Sequence, residues 1–184
     1  MKPPETSANS ILMSPRELLD RYAAGKRGFI GVNLQCADLR GAVLKGILLW
    51  QANLKSANLS GADLSNAHLF ANLIQTNLSG ADLSSAKLIY ADLRKADLTR
   101  AKLFKTNLKG ADLRGADLRG AKLIYTNLDG ANLKGANLKG VILFAVNLNQ
   151  ANLVGTDLSE TTLIKTDTRY TILSESEENQ DIKY

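Results

Sequence analysis

From residue 29 to residue 173 the chain sets a large apolar residue at every fifth position. The register runs from Phe29 through Leu34 to Leu69, and again from Leu73 through Leu163 to Thr168 and Leu173. Of these 30 centres 28 are Leu. An α-helix repeats every 3.6 residues and a strand every two, so no single element can present a five-residue period to one core. Self-similarity at a fixed short period instead signals a stacked architecture, in which each unit buries its apolar side only against its neighbours.

The rest of the unit says how the stack is built. Two residues before each centre stands Ala, Thr or Val in 28 of 30 cases, Arg27 and Ile47 being the exceptions. The intervening residue is Asn or Asp in 20. A small and a large residue, both directed inward, fill a narrow interior, while the residues on either side of the Leu alternate outward. Gly or Ser two positions after the Leu suits a corner, where Gly adopts unusual backbone angles at little cost. Asn or Asp beside that corner can bond nearby backbone groups.

Bulky outward residues count the sides. Ile30, Trp50 and Phe70 are 20 residues apart, as are Phe104, Ile124, Phe144 and Ile164. Twenty residues are four units, so each coil is a square. Thirty units give roughly 7.5 coils, and parallel pairing at about 4.8 Å per coil makes a rod of about 36 Å. A buried Leu contributes at most about 2 kcal/mol, much of it offset by chain entropy, so stability must come from stacking.

Runs such as ADLRG, ANLKG and ADLSS resemble the pentapeptide-repeat family, A(D/N)LXX, over roughly residues 27–175. The resemblance implies a right-handed quadrilateral β-helix and no enzyme activity. The lead-in LLDRYAAGKRGFIGVNL is similar to that of cyanobacterial members.

Two irregularities interrupt the pattern. Between Leu69 and Leu73 the spacing falls to four, so Ala71 must end one unit and begin the next. The apolar ridge of Ile30, Trp50, Phe70 and Ile89 should continue at residue 109, which is Lys; it resumes instead at Phe104. The ridge is therefore expected to change face between residues 89 and 104, where two repeat blocks meet.

At the ends, residues 1–13 read as a flexible N-terminus and 14–26 as a capping helix. Ser14 is its N-cap, Pro15 its first residue and Glu17 the partner in a capping box. Leu18, Leu19 and Tyr22 are expected to cover the first coil, protecting an open sheet edge. Thr161, Thr162, Thr166, Thr168 and Thr171 are expected to polarise the last coil, and residues 176–184 to form an acidic disordered tail. The chain has no long apolar run and one cysteine, Cys36; these predict a cytoplasmic protein with no membrane segment or internal disulfide.

No constellation for chemistry emerges, and neither a cofactor nor a metal site is expected. His68, the single histidine, lies at an outward position without a ligand cluster. The repeating Asp residues belong to the architecture, and P-loop, GxSxG and calcium-repeat motifs are lacking. Two surface features remain. The ridge Trp50, Phe70, Phe104, Ile124, Phe144 and Ile164 is either a stiffening ladder or a patch for a partner. Arg94, Arg114 and Lys134 form a basic strip opposite the second ridge, with Arg119 and Lys139 on the adjoining face. Residues 28–172 carry 17 basic and 11 acidic side chains, a net +6.

The leading reading is a non-enzymatic rod that binds another protein, with self-association through the same surface as a variant. The resemblance offers a rival, since some family members mimic duplex DNA and bind DNA gyrase. A basic body opposes that mimicry, and interspersed Asp residues oppose nucleic-acid binding through the strip.

Overall fold

The structure, a computed structural model, describes residues 11–174. Its backbone climbs in squares. Isolated parallel bridges join residues 20 apart, as in Asp92↔Asp112↔Asn132↔Asn152, and repeat on every side. We number the faces from the units centred on Phe29 (first), Leu34 (second), Leu39 (third) and Leu44 (fourth); the series recurs with each coil.

One unit shows why five residues suffice. Leu113 N donates to Asn132 O of the next coil at 2.7 Å, and Asn132 N returns a bond to Ala111 O at 2.9 Å. Gly115 N reaches Lys134 O, and Ala116 N closes the corner onto Leu113 O. The Asp112 carboxylate accepts from Arg114 N at 3.2 Å, and the same bond from residue i−1 to i+1 recurs at most units. Such a bond bends the chain just after the Leu, which is why Asn and Asp dominate there. Corner residues take left-handed backbone angles, Gly110 at φ 64° and 16 non-glycines among them. Inside, the Leu column is sealed from solvent from Leu34 to Leu153 and the small-residue column beside it from Ala52 to Ala151, while Leu158, Leu163 and Leu173 of the last coil are only partly buried.

The deletion at residues 69–73 shortens one coil to 19 residues without breaking the ladders, since Asn53↔Asn72 and His68↔Lys87 continue in register. Ala71 is fully buried as the inward small residue of its unit. What the first face loses there is its corner residue.

The N-terminal end departs from the sequence expectation. Residues 11–13 are not loose: β1 (Ile11–Leu12) pairs in parallel with β2 (Val32–Asn33), and Met13 is buried with its N–H on Asn33 O. The first coil offers an unpaired edge that a short strand can satisfy. The helix α1 spans Pro15–Ala23, with Ser14 Oγ accepting from Glu17 N at 3.1 Å. The Glu17 carboxylate serves Arg21 one turn on and not a capping box. Leu18 is fully buried and Tyr22 packs on the core with its hydroxyl on Lys45 O at 2.8 Å, whereas Leu19 faces solvent.

At the other end Thr161, Thr166 and Thr171 do not polarise the rim. Thr161 and Thr166 Oγ1 each donate to a Leu carbonyl 23 residues earlier, in the coil below, and Thr171 Oγ1, 3.3 Å from Leu148 O, donates over the shorter distance of 2.5 Å to Thr168 O. Thr126, one coil above Thr106 and two below Thr166 in the same column, likewise donates to Leu103 O at 2.6 Å. A hydroxyl can thus replace the small apolar residue because a carbonyl lies within reach. The expected acidic tail, residues 176–184, lies outside the described residues.

Candidate functional site

Outward positions are the only ones free to vary in this architecture, so the surface columns carry whatever the rod presents. Trp50, Phe70 and Ile89 lie on the first face and Phe104, Ile124, Phe144 and Ile164 on the fourth, which adjoins it. Ile89 follows the Lys87 bridge to Asn107, whereas the Phe104 carbonyl accepts from Ser85 N in the fourth-face ladder.

The first-face ridge is compact. Trp50 meets Phe70 edge to face at 6.0 Å and 77°, and stacks on His68 at 6.3 Å and 12°. His68 is therefore part of this cluster and only half exposed. Burial holds its pKa below the ordinary value, and the Lys87 ammonium pushes the same way.

The fourth face is more extended. Residues 122, 142 and 162 are Lys, Ile and Thr, so no carboxylate or amide accepts from the N–H two residues on. The chain runs straight through the next position, making β3 (Leu123–Ile124), β4 (Ile142–Phe144) and β5 (Thr162–Ile164), a three-stranded parallel sheet in which Ile124, Phe144 and Ile164 align. Tyr125, at the corner, was not singled out by sequence reasoning; its only signal was an aromatic where Gly or Ser is usual. It joins the ridge, contacting Phe104 at 6.0 Å and 81° and Phe144 at 5.8 Å and 89°, both edge to face. Phe104 is 39% exposed, Ile164 40%, Tyr125 53% and Ile142 58%. Lys105 Nζ lies 5.1 Å from the Phe104 ring centre and Lys165 Nζ 6.0 Å from that of Phe144. Ile124 and Phe144 are half-buried.

The basic strip is gathered differently. Arg94 and Arg114 on the second face and Arg119 on the third each fold back onto the Asp of their own unit, Asp92, Asp112 and Asp117. Lys139 pairs with Glu160 at 3.3 Å, and Lys134 stands in the same second-face column as Arg114. These pairs hold the Asp117 carboxyl below its ordinary pKa, chiefly through the Arg119 hydrogen bonds. The ADLRG unit thus neutralises itself, leaving neither a row of free cations nor a row of free carboxylates.

Among the described residues no group of three His, Cys, Asp or Glu side chains is placed to hold a metal ion. Among them also, no helix is long and apolar enough to cross a membrane.

The model for pentapeptide repeats matches residues 31–69, 70–103, 101–140 and 142–176, in 8 copies. Its matches break at residue 70, where the deletion falls. The chain belongs to the pentapeptide-repeat family, and its fold is the right-handed quadrilateral β-helix. Among solved structures it is similar to alr5209, a pentapeptide repeat protein from Nostoc PCC 7120, at 31% identity over 84% of this chain and 98% of that one, with a TM-score of 0.30. It is similar to HetL from Nostoc sp. strain PCC 7120, a protein involved in heterocyst differentiation regulation, at 28% identity over 91% of this chain and 100% of that one, TM-score 0.31. It also resembles QnrB1, a plasmid-mediated fluoroquinolone resistance protein, at 20% identity over 79% of both chains with a TM-score of 0.55. The comparison with curated proteins gave no match.

Proposed function

We propose that this protein is a non-catalytic rod that presents its fourth face to a protein partner. The observation that carries the reading is the row Phe104–Tyr125–Phe144, three interlocked rings across consecutive coils, of which Phe104 and Tyr125 are exposed and Phe144 is half-buried. A ladder serving stiffness alone gains nothing from exposed rings, since the sealed Leu and Ala columns already bury the apolar surface that holds coils together. The titratable groups sit in scattered surface pairs, some within one unit and some between successive coils, an arrangement that does not favour enzyme chemistry.

Membership of a family in which some proteins mimic duplex DNA raises DNA mimicry as the rival. Mimicry needs unpaired carboxylates in rows, and here Asp38, Asp92, Asp112, Asp117 and Asp167 each hold an Arg of their own unit. The same pairs weigh against nucleic-acid binding by the strip. Replacing Phe104 and Phe144 with Ser tests the proposal. Protein retained from a lysate by the unaltered rod should be lost with the double variant while the melting curve stays cooperative. Unchanged retention and unchanged oligomeric state would refute it.

A further inference from the structure

We infer that the fourth face binds an acidic amphipathic helix of the partner, laid along the rod axis. This rests on the reading above and adds the chemistry and geometry of what is bound. Three observations lead to it.

The first is the border of the ridge. Along the side toward the third face stand Lys102 and Lys122; along the corner toward the first face stand Lys105 and Lys165. The four units of this stretch read AKLFK, AKLIY, VILFA and TTLIK, with no Asp or Glu. Every other face carries acid at these levels: Asp129 and Asp167 on the first, Asp112 on the second, and Asp117 and Asp157 on the third, while Glu160, at the corner between the third and fourth faces, is paired with Lys139. Lys102 bonds Asp82 from the coil below at 3.3 Å, whereas Lys122 makes no ion pair among the described residues. An apolar strip with cations on both margins is complementary to an apolar strip with carboxylates on both margins.

The second is spacing. Ridge residues recur once per coil, about 4.8 Å apart, so Phe104 to Ile164 spans about 14 Å. One face of a helix repeats every 5.4 Å and stays within about 2 Å of that ladder over three steps. Side chains on one face of a strand recur at about 6.7 Å and fall out of step after one. A helix with apolar residues at i, i+3 or i+4, i+7 and i+11 therefore fits the ridge, and a strand does not.

The third is what the ridge does not suit. Two copies of this face would bring four lysines against four lysines, the bordering Asp82 and Glu160 being already paired with Lys102 and Lys139. Single-stranded nucleic acid needs open ring faces, but Lys105 and Lys165 lie over the Phe104 and Phe144 rings. The rings are pinned edge to face against one another across coils, which leaves them less free to insert singly as a membrane wedge.

The probe is a synthetic helix of about 18 residues with Leu in that spacing and Glu along both margins, compared with versions carrying Gln or Lys in place of Glu. Binding to the whole protein is read by fluorescence anisotropy at low and high salt. The acidic helix should bind about tenfold or more tighter than the Gln helix at low salt, a margin that shrinks with added salt. The double variant Lys122→Glu/Lys165→Glu should lose the acidic helix and gain the Lys helix, a reversal that damage to the fold cannot produce. Equal binding of the acidic and Gln helices, or no reversal, overturns the inference. So does binding of phosphatidylserine vesicles without binding of the helix, or a dimer in sedimentation that Phe104→Ser disrupts. If no probe helix binds yet the Phe104→Ser/Phe144→Ser variant still loses its captured protein, the inference has failed and the proposed function stands.

Discussion

Gly110 permits a direct test of how the corners are packed. It lies at φ 64°, and a Cβ built on it would sit 2.3 Å from Tyr90 Cε1 and 2.5 Å from Cδ1 of the coil below. Gly130, at φ 63° on the same corner one coil up, would meet nothing within 4 Å. Alanine at either site incurs the left-handed penalty of about 1–2 kcal/mol, offset by about 0.4–1 kcal/mol from a less flexible unfolded chain. G130A should therefore cost about 0.5–1 kcal/mol. At residue 110 the Tyr90 ring must also move, and giving up about 50 Å² of apolar burial adds about 1–1.5 kcal/mol. G110A should then cost about 2 kcal/mol, lowering the melting temperature by about 4–8 °C against about 1–4 °C for G130A. In a Tyr90→Ala background the G110A loss should fall to that of G130A, the difference being the coupling between the two sites. Thermal melts of the four proteins and the G130A control read this out. Equal losses at 110 and 130, or a G110A loss unchanged by Tyr90→Ala, would refute the reasoning.

Further expectations follow from other parts of the rod. Leu113→Ala should cost about 2–5 kcal/mol, because its fully sealed column cannot collapse around a cavity; a urea midpoint measures it. Thr126→Val should cost only about 1 kcal/mol or less, since Leu103 O also accepts from Thr106 N and is not orphaned; the same melt tests that. Trp50 is the only tryptophan, so its fluorescence should titrate with a midpoint below the ordinary histidine value of about 6.5, and His68→Gln should abolish the transition. Because the neutral form is the one favoured in the fold, His68 adds stability above its unfolded pKa that is lost as pH falls through the lowered folded value. Asp117 and Asp167 are held low by Arg119 and Arg169. Their stabilisation is present above about pH 4 and lost as pH falls through the lowered folded values, so Asp117→Asn should flatten part of the acid limb of a stability profile.

Much of this rod could be read from the five-residue period, because the interior accepts one large and one small residue per side and little else. The square cross-section followed from Trp50 and Phe70, and from Phe104 to Ile164, since outward bulk repeats only when a face returns. What the period could not convey was pairing between positions that do not repeat. Residues 11–13 carry no repeat, yet they satisfy the open edge of the first coil. The Thr161, Thr166 and Thr171 hydroxyls looked polar and exposed, but a carbonyl 23 residues back takes the first two inward and Thr168 O takes the third. Tyr125 looked like a corner substitution; only the stacking of coils places its ring between Phe104 and Phe144. The basic strip and the Asp residues that share its faces, and with them an ion-pair ladder, were visible in the sequence; that each Arg folds back onto the Asp of its own unit was not, because spacing alone does not say which neighbour a guanidinium reaches.

On the proposed function, one face of the four binds and the other three do not. A photo-crosslinking residue introduced singly at Ile124, Asp129, Lys134 and Lys139 samples the fourth, first, second and third faces at nearly one level. Crosslinks to a single protein from position 124 alone are the predicted result. Equal crosslinking from all four positions, or capture from another face with 124 silent, would contradict it.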